Sequence, residues 1–331
     1  MNSFLFALNA VLPIILMVTL GYLAKRIGLF PYELAKPVNK LVFRMFLPAM
    51  LFLNIYKLDG LSSIRFGYVA YSIVAVLVVF AVAVLTLPLV TKRRESKGAL
   101  LQATFRSNFA LIGLPLATSL FGNEGAAVAA ILSAFTIPAF NVLAVIALSM
   151  YSTDGKDRGI KKILLGIAKN PLIISVLCGV LALALRALFE SLGIGFRLSS
   201  VTPVYKTLEY LSDIATPLAL LVLGVQFEFS AVKSLRREII FGTLSRTVIV
   251  PFLALGFAVV VFRDQFGGAE FAALVALFAT PVAVSSVPMA QEMNADYTLA
   301  GQLVVWTTLL SSVTVFIIAF ILSYIGIFPV L

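Results

Sequence analysis

Two stretches, Asn108-Phe-Ala-Leu-Ile-Gly-Leu-Pro115 and Thr280-Pro-Val-Ala-Val-Ser-Ser-Val-Pro288, put amide, hydroxyl, glycine and proline residues inside apolar runs long enough to cross a bilayer. Proline removes a backbone donor and crowds the preceding turn, so each stretch is expected to break its helix, around Gly113 and Pro115 in the first. Freed backbone groups persist at membrane depth only where they are buried in protein or line a cavity. A break also creates a new helix N-terminus, whose free N–H groups and dipole favour an anion. The amides following Pro115, and those following Pro281 or Pro288, are expected to converge near the midplane. Asn108 shares a helix face with Pro115 and offers both a donor and an acceptor there. Thr280, Ser285 and Ser286 supply hydroxyls in the second stretch, although hydroxyls in helices often bond their own backbone instead.

Ionisable side chains within apolar spans are the next candidates. Arg106 lies beside Asn108 and either attracts an anion or reaches back to the headgroups. Arg44 is closer to its loop, which favours the headgroups. Arg246 is about 15 Å into its span at helical rise, deep enough to require a partner, and Asp213 in the preceding span is the expected one. Asn54, Asn141 and Gln226 are weaker polar candidates. The chain has no histidine, so proton coupling would need a carboxylate such as Asp213, Glu33 or Glu292, and only Asp213 has the look of a buried group. No metal or cofactor site is expected. Cys178 is the single cysteine, which excludes a disulfide within one chain and reads as filler in an apolar helix.

The elements that must hold these residues follow from composition. Of 331 residues, 61% are hydrophobic and only 12% charged, with mean hydropathy +1.07. A soluble domain carries about 25% charged residues, and no soluble core could bury this much apolar surface. The apolar runs are continuous and do not alternate, which implies helices and excludes an outer-membrane barrel. Ten spans are expected, at about 4–25, 36–56, 66–90, 99–121, 125–150, 170–190, 206–227, 237–262, 269–291 and 297–328. Met1-Asn2-Ser3 lacks the basic start of a signal peptide, so the first span is read as retained.

The net charge of +10 sorts by loop. Odd-numbered loops hold Lys25, Arg26, Lys36 and Lys40, then Lys92, Arg93, Arg94 and Lys97, then Lys156, Arg158, Lys161, Lys162 and Lys169, then Lys233, Arg236 and Arg237. Even-numbered loops hold only Lys57, Arg65, Arg186, Arg197, Lys206 and Arg263. Odd loops are therefore expected in the cytoplasm and both termini outside, in a multi-pass protein of the cell (inner) membrane. Topology accounts for the charge, so no nucleic-acid partner is implied. The connection at 151–169 is too short for a soluble domain.

The halves repeat. Pro13-Ile-Ile-Leu-Met-Val-Thr-Leu-Gly21 matches Pro171-Leu-Ile-Ile-Ser-Val-Leu-Cys-Gly179 at identical spacing. Leu47-Pro-Ala-Met-Leu-Phe-Leu53 resembles Thr216-Pro-Leu-Ala-Leu-Leu-Val222, and the run from Pro115 resembles the run from Pro288. Five spans per copy is an odd number, so the copies, 1–155 and 156–331, must be inverted about an axis in the membrane plane.

Asn108 with Gly113-Leu-Pro115-Leu116, the junction Lys169-Asn170-Pro171-Leu172, and Pro281 with Glu292-Met-Asn294 resemble the auxin efflux carrier family over nearly the whole chain. That family includes plant PIN auxin transporters and bacterial permeases assigned to malate or malonate. The resemblance implies an all-helical membrane fold of two inverted five-helix repeats, like that of bile-acid symporters and sodium/proton antiporters. Spans 1, 2, 6 and 7 would form a scaffold, often paired as a homodimer. Spans 3–5 and 8–10 would form a transport domain crossed at spans 4 and 9. The family's asparagine and crossover prolines shape a carboxylate site, which carries over to Asn108 and Pro115. In span 9 the family match favours Pro281 and the internal repeat favours Pro288.

The function expected is secondary transport of a small organic carboxylate by elevator-type alternating access. The nearest rival is a sodium-coupled organic anion symporter on the same fold, which needs acidic and amide groups clustered at the crossover. A sensor that keeps the fold without flux is a third class. A membrane enzyme is disfavoured: there is no histidine, no paired intramembrane acid and no serine motif.

Overall fold

The computed structural model describes residues 2–57, 66–151 and 168–328, and every regular element among them is helical. Arg65, Lys156, Arg158, Lys161, Lys162 and most of the 151–169 connection lie outside the described residues. The helices are α1 (Asn2–Arg26), α2 (Tyr32–Tyr56), α3 (Phe66–Val90), α4 (Arg94–Phe105), α5 (Phe109–Tyr151) and α6 (Pro171–Ser191). There follow α7 (Thr202–Gln226), α8 (Arg236–Phe262), α9 (Gly268–Phe278), α10 (Ser286–Glu292) and α11 (Tyr297–Tyr324). Among the described residues, seven helices are long and apolar enough to cross a membrane: α2, α3, α5, α6, α7, α8 and α11. Their outward faces stay apolar. Leu85 and Leu89 on α3, and Phe252 and Val260 on α8, are each at least three-quarters exposed. A continuous apolar surface of this extent is stable only against lipid, and the chain is a multi-pass membrane protein.

Proline shapes three of the long helices in the same way. Wide, π-type turns at Val42–Phe46, Phe109–Gly113 and Ser245–Ile249 each end two residues before Pro48, Pro115 or Pro251. A proline cannot donate to the carbonyl four residues back, and its ring pushes that carbonyl aside. The ladder therefore slips by one, and Leu47, Leu114 and Val250 donate five residues back, to Val42, Phe109 and Ser245. A second device divides α5. Phe121 and Gly122 leave helical geometry, and Gly122 takes a positive φ of 57° that a side chain would strain. The chain folds back there, since a Cβ on Gly125 would lie 2.3 Å from the Ala117 carbonyl oxygen, so α5 consists of two helices that meet at the boundary expected between the fourth and fifth spans.

Packing pairs α1 with α7 and α2 with both α6 and α7, while α5 packs along α9. The α1–α7 contact is backbone on backbone. A Cβ on Gly21 would lie 2.1 Å from the Leu221 carbonyl oxygen, and one on Gly224 would lie 2.0 Å from that of Val18. Only glycine allows this approach, and close packing of small residues is what joins helices where burial from water offers no drive.

At the end of the molecule that carries the α1–α2 and α10–α11 turns, side chains link α10 and α11 to α2 and α7. Gln291 on α10 accepts hydrogen bonds from the amides of Asn39 on α2 and of Gln226 on α7, the latter at 3.2 Å. Arg44 pairs with Glu292 at 3.4 Å, and the Tyr32 and Tyr297 hydroxyls meet at 3.2 Å. Asp296 accepts from Ser96 at 2.7 Å and caps α11 by accepting from the Leu299 N–H. Sequence patterning missed Gln291, because one glutamine near a helix end has no distinguishing spacing.

Candidate binding site at the crossed helix breaks

The helices α4 and α9 both stop inside the protein. Arg106 leaves helical geometry with φ −87° and ψ 111°, and the chain resumes as α5 after Asn108. In the second half, residues 280–285 are non-helical between α9 and α10. The two interruptions cross. Ser107 and Val282 form an antiparallel bridge, and the Asn108 N–H donates to the Pro281 carbonyl at 2.8 Å. The Val282 N–H donates to the Thr307 hydroxyl at 3.1 Å. Each break thus satisfies part of the other's exposed backbone, as irregular chain at this depth requires.

These positions correct the expected breaks. The first lies at Arg106–Asn108, not at Gly113–Pro115, because the wide turn before Pro115 absorbs the proline within a continuing helix. Gly113 is needed for packing: a Cβ there would meet the Phe109 ring at 2.7 Å and the Ala276 carbonyl at 3.0 Å. In the second half Pro281 marks the break, while Pro288 sits buried within α10. The N-terminal turn aimed at the crossing therefore begins at Asn108, not after Pro115.

A cavity of about 730 Å³ opens beside the crossing. Arg106, Ser107, Asn108, Pro115 and Ser285 line it, with Asn141 from the middle of α5. Opposite walls come from α1, α2 and α7, including Asn54, Asp213 and Thr216 among apolar residues such as Met17 and Leu51.

Arg106 is 4% exposed. Its Nη2 donates to Asn141 Oδ1 and to the Ser285 hydroxyl, both at 2.8 Å, and its Nη1 donates to the Met289 sulfur. These acceptors are all neutral, so among the described residues the guanidinium is held at the cavity wall without an ion-pair partner. This position rules out the headgroup alternative for Arg106. Asn108 occupies the position before α5 but does not cap it with its side chain. Among the described residues its Nδ2 is buried without a partner, as is the Ser107 hydroxyl, while the Ser286 hydroxyl is likewise unpartnered but does not line the cavity. An unsatisfied buried donor costs about 1–3 kcal/mol, so a cluster of them beside a cavity marks where a polar ligand would be accommodated.

Not every expected residue turns its side chain to the cavity. The Thr280 hydroxyl donates back to the Ala276 carbonyl at 2.7 Å. Arg246 is fully buried, as its depth demands, but it is not paired with Asp213. Its Nε donates to the Thr280 carbonyl at 2.8 Å and its Nη2 to that of Leu277 at 2.7 Å. Its Nη1 reaches the carbonyls of Phe105 at 3.3 Å and Thr104 at 3.5 Å. Sequence could not supply these partners, because backbone carbonyls at a helix end carry no residue signature. Asp213 is exposed at the cavity wall, not buried, and of the three acids expected for coupling Glu292 is the most shielded, beside Arg44. Arg44 accordingly has a protein partner as well as an exposed position. Ser107 was not singled out by sequence, although it lies between two residues that were.

Comparison with known proteins finds relatives among membrane transporters. The profile of the family described as "Membrane transport protein" matches residues 6–159 and 158–319. An uncharacterized transporter of Methanocaldococcus jannaschii is 30% identical over 233 residues, 68% of this chain and 70% of its own. An uncharacterized transporter of Methanothermobacter thermautotrophicus is 24% identical over 94% of this chain and 97% of its own. A Rhizobium meliloti protein named "Putative malonate transporter" is 26% identical over 92% of each chain.

Proposed function

The chain belongs to the membrane transport protein (auxin efflux carrier) family, and we propose that it carries a small organic carboxylate across the cell (inner) membrane. The observation that carries this reading is Arg106: a guanidinium at a cavity wall, hydrogen-bonded among the described residues only to neutral groups, beside an Asn108 amide that has no partner among them. A carboxylate supplies both missing partners, an opposite charge for Arg106 and an acceptor for Asn108 Nδ2. The crossing adds the positive end of α5. Ser107 and Ser285 add hydroxyls at the same wall, and the apolar opposite wall suits a short carbon skeleton. Malonate is a natural first probe, given the name of the Rhizobium relative.

The architecture proposed is ten spans in two inverted repeats, with α4 and the start of α5 forming one broken span and α9 with α10 the other. Gly21 on α1 faces α7, and Gly179 on α6 faces α2, as two inverted copies require. Under this reading α1, α2, α6 and α7 are the scaffold, the other helices form the moving body, and both termini lie outside. The cavity between them is the route, and movement of the body past the scaffold changes its side. The side-chain contacts of Gln291 and Glu292 then close the cytoplasmic end. A homodimer through the scaffold belongs to the same proposal.

The test is flux of radiolabelled mono- and dicarboxylates, malonate first, into proteoliposomes carrying the native chain or Asn108→Ala. Transport of at least one carboxylate, with its affinity lowered by the substitution, supports the reading. Transport of a cation or neutral solute with no carboxylate moved would overturn it.

A further inference from the structure

Arg246 plays no part in lining the cavity, yet it is fully buried and fixed by four carbonyls. Those carbonyls belong to two different helix ends. Thr104 and Phe105 close α4, and Leu277 and Thr280 close α9 and enter its break. The last carbonyls of any helix lack internal partners, and its C-terminus carries roughly half a negative charge. Two such ends brought together inside a membrane protein require a positive partner. In transporters built on broken helices, this is where a coupling cation is held. Here the chain provides the cation itself. The wide turn Ser245–Ile249 carries Arg246, and the planar guanidinium reaches both helix ends at once.

We propose that Arg246 is a resident cation that occupies the place of a coupling metal ion at the crossing, so that carboxylate transport by this chain does not draw on sodium. The inference deepens the transport reading of the same crossing and rests on it. A guanidinium neither dissociates nor loses its proton in a protein. The charge that the two helix ends need is therefore permanent, and the broken helices are held in their crossed geometry without waiting for an ion to bind. Arg106 and Arg246 divide the work: one faces the cavity with no anionic partner, the other is sealed against carbonyls.

The experiment measures [14C]malonate counterflow in proteoliposomes with sodium replaced by choline on both sides, and radiolabelled sodium binding to the purified full chain in detergent. The expected result is malonate uptake equal in the two salts to within about twofold, and no saturable sodium binding. Arg246→Lys keeps a charge and is expected to retain uptake, whereas Arg246→Gln, similar in reach but neutral, is expected to lose about tenfold or more. Sodium stimulation of the native chain by about tenfold, saturable sodium binding, or native rates in a folded Arg246→Gln chain would each overturn the proposal. Failure of malonate and every other carboxylate to move in either salt refutes the transport reading instead. Sodium binding in detergent still decides the role of Arg246 in that case, because it needs no substrate.

Discussion

Replacing Arg106 by glutamine separates binding from stability. A carboxylate about 4 Å from the guanidinium gains roughly 4 kcal/mol at an effective dielectric near 20. At about 1.4 kcal/mol per decade this bounds the loss at roughly a thousandfold in affinity. Desolvation of the incoming carboxylate reduces that gain, so the expected rise in Kd lies between about tenfold and a thousandfold. Folding stability should respond differently. The native side chain holds a buried charge against neutral acceptors, Asn141, Ser285 and Met289. Removing that charge relieves a desolvation cost while losing hydrogen bonds, so the ligand-free Arg106→Gln chain should unfold no earlier than the native one. Arg106→Lys keeps the charge but not the fork that joins Asn141 to Ser285, and should fall between the two in affinity. The assay is the concentration dependence of malonate uptake beside thermal unfolding in detergent with and without malonate. A folded Arg106→Gln chain whose affinity stays within about threefold of native would refute the electrostatic argument.

Other expectations concern the crossing, the scaffold and the closed end. Asn108→Ala removes the orphaned donor and should lower affinity by about 1–3 kcal/mol without lowering the melting temperature, measured on the same samples. Gly224→Ala forces a Cβ to within 2.0 Å of the Val18 carbonyl, so α1 and α7 must separate. Overpacking of this kind costs typically 1–3 kcal/mol, read as an earlier thermal unfolding, whereas Gly256→Ala, with open space around it, should be neutral. Gln291→Ala removes the shared acceptor of Asn39 and Gln226 and should favour the opposite opening. In a Cys178→Ser background, a cysteine replacing Ala219 on the cavity wall should then react faster with a membrane-impermeant thiol reagent from the cytoplasmic side. An unchanged rate would remove Gln291 from the closure.

Much of the membrane fold could be read from hydropathy, because lipid demands long apolar helices with their backbone satisfied internally. Span limits agree closely for α3 and α6, whereas α7 begins four residues before its expected start. The breaks were harder to place. Proline reads as the point of rupture, but Pro48, Pro115 and Pro251 each bend the ladder into a wide turn and leave the helix continuous. The two rival prolines of the second half also have distinct places. Pro281 lies at the break, opposite Asn108, while Pro288 follows it by the same seven residues that separate Pro115 from Asn108. Of the residues at the cavity wall, Arg106, Asn108 and Ser285 stand out in the sequence because charged and polar side chains are rare at membrane depth. The carbonyl partners of Arg246 were not, since they depend on which helix ends meet, and that is decided by tertiary contact.

Two guanidinium groups in one buried crossing also give the protein an electrical property. Moving one elementary charge through the full membrane potential involves about 2.3 kcal/mol per 100 mV. If the crossing travels with the moving body, the empty carrier takes the charges of Arg106 and Arg246 through part of that field, while a bound dianion cancels them. An inside-negative voltage would then draw the empty carrier inward and leave the loaded one nearly indifferent. Voltage would set the pace of the unloaded return stroke, and exchange of one dianion for another would run almost free of it.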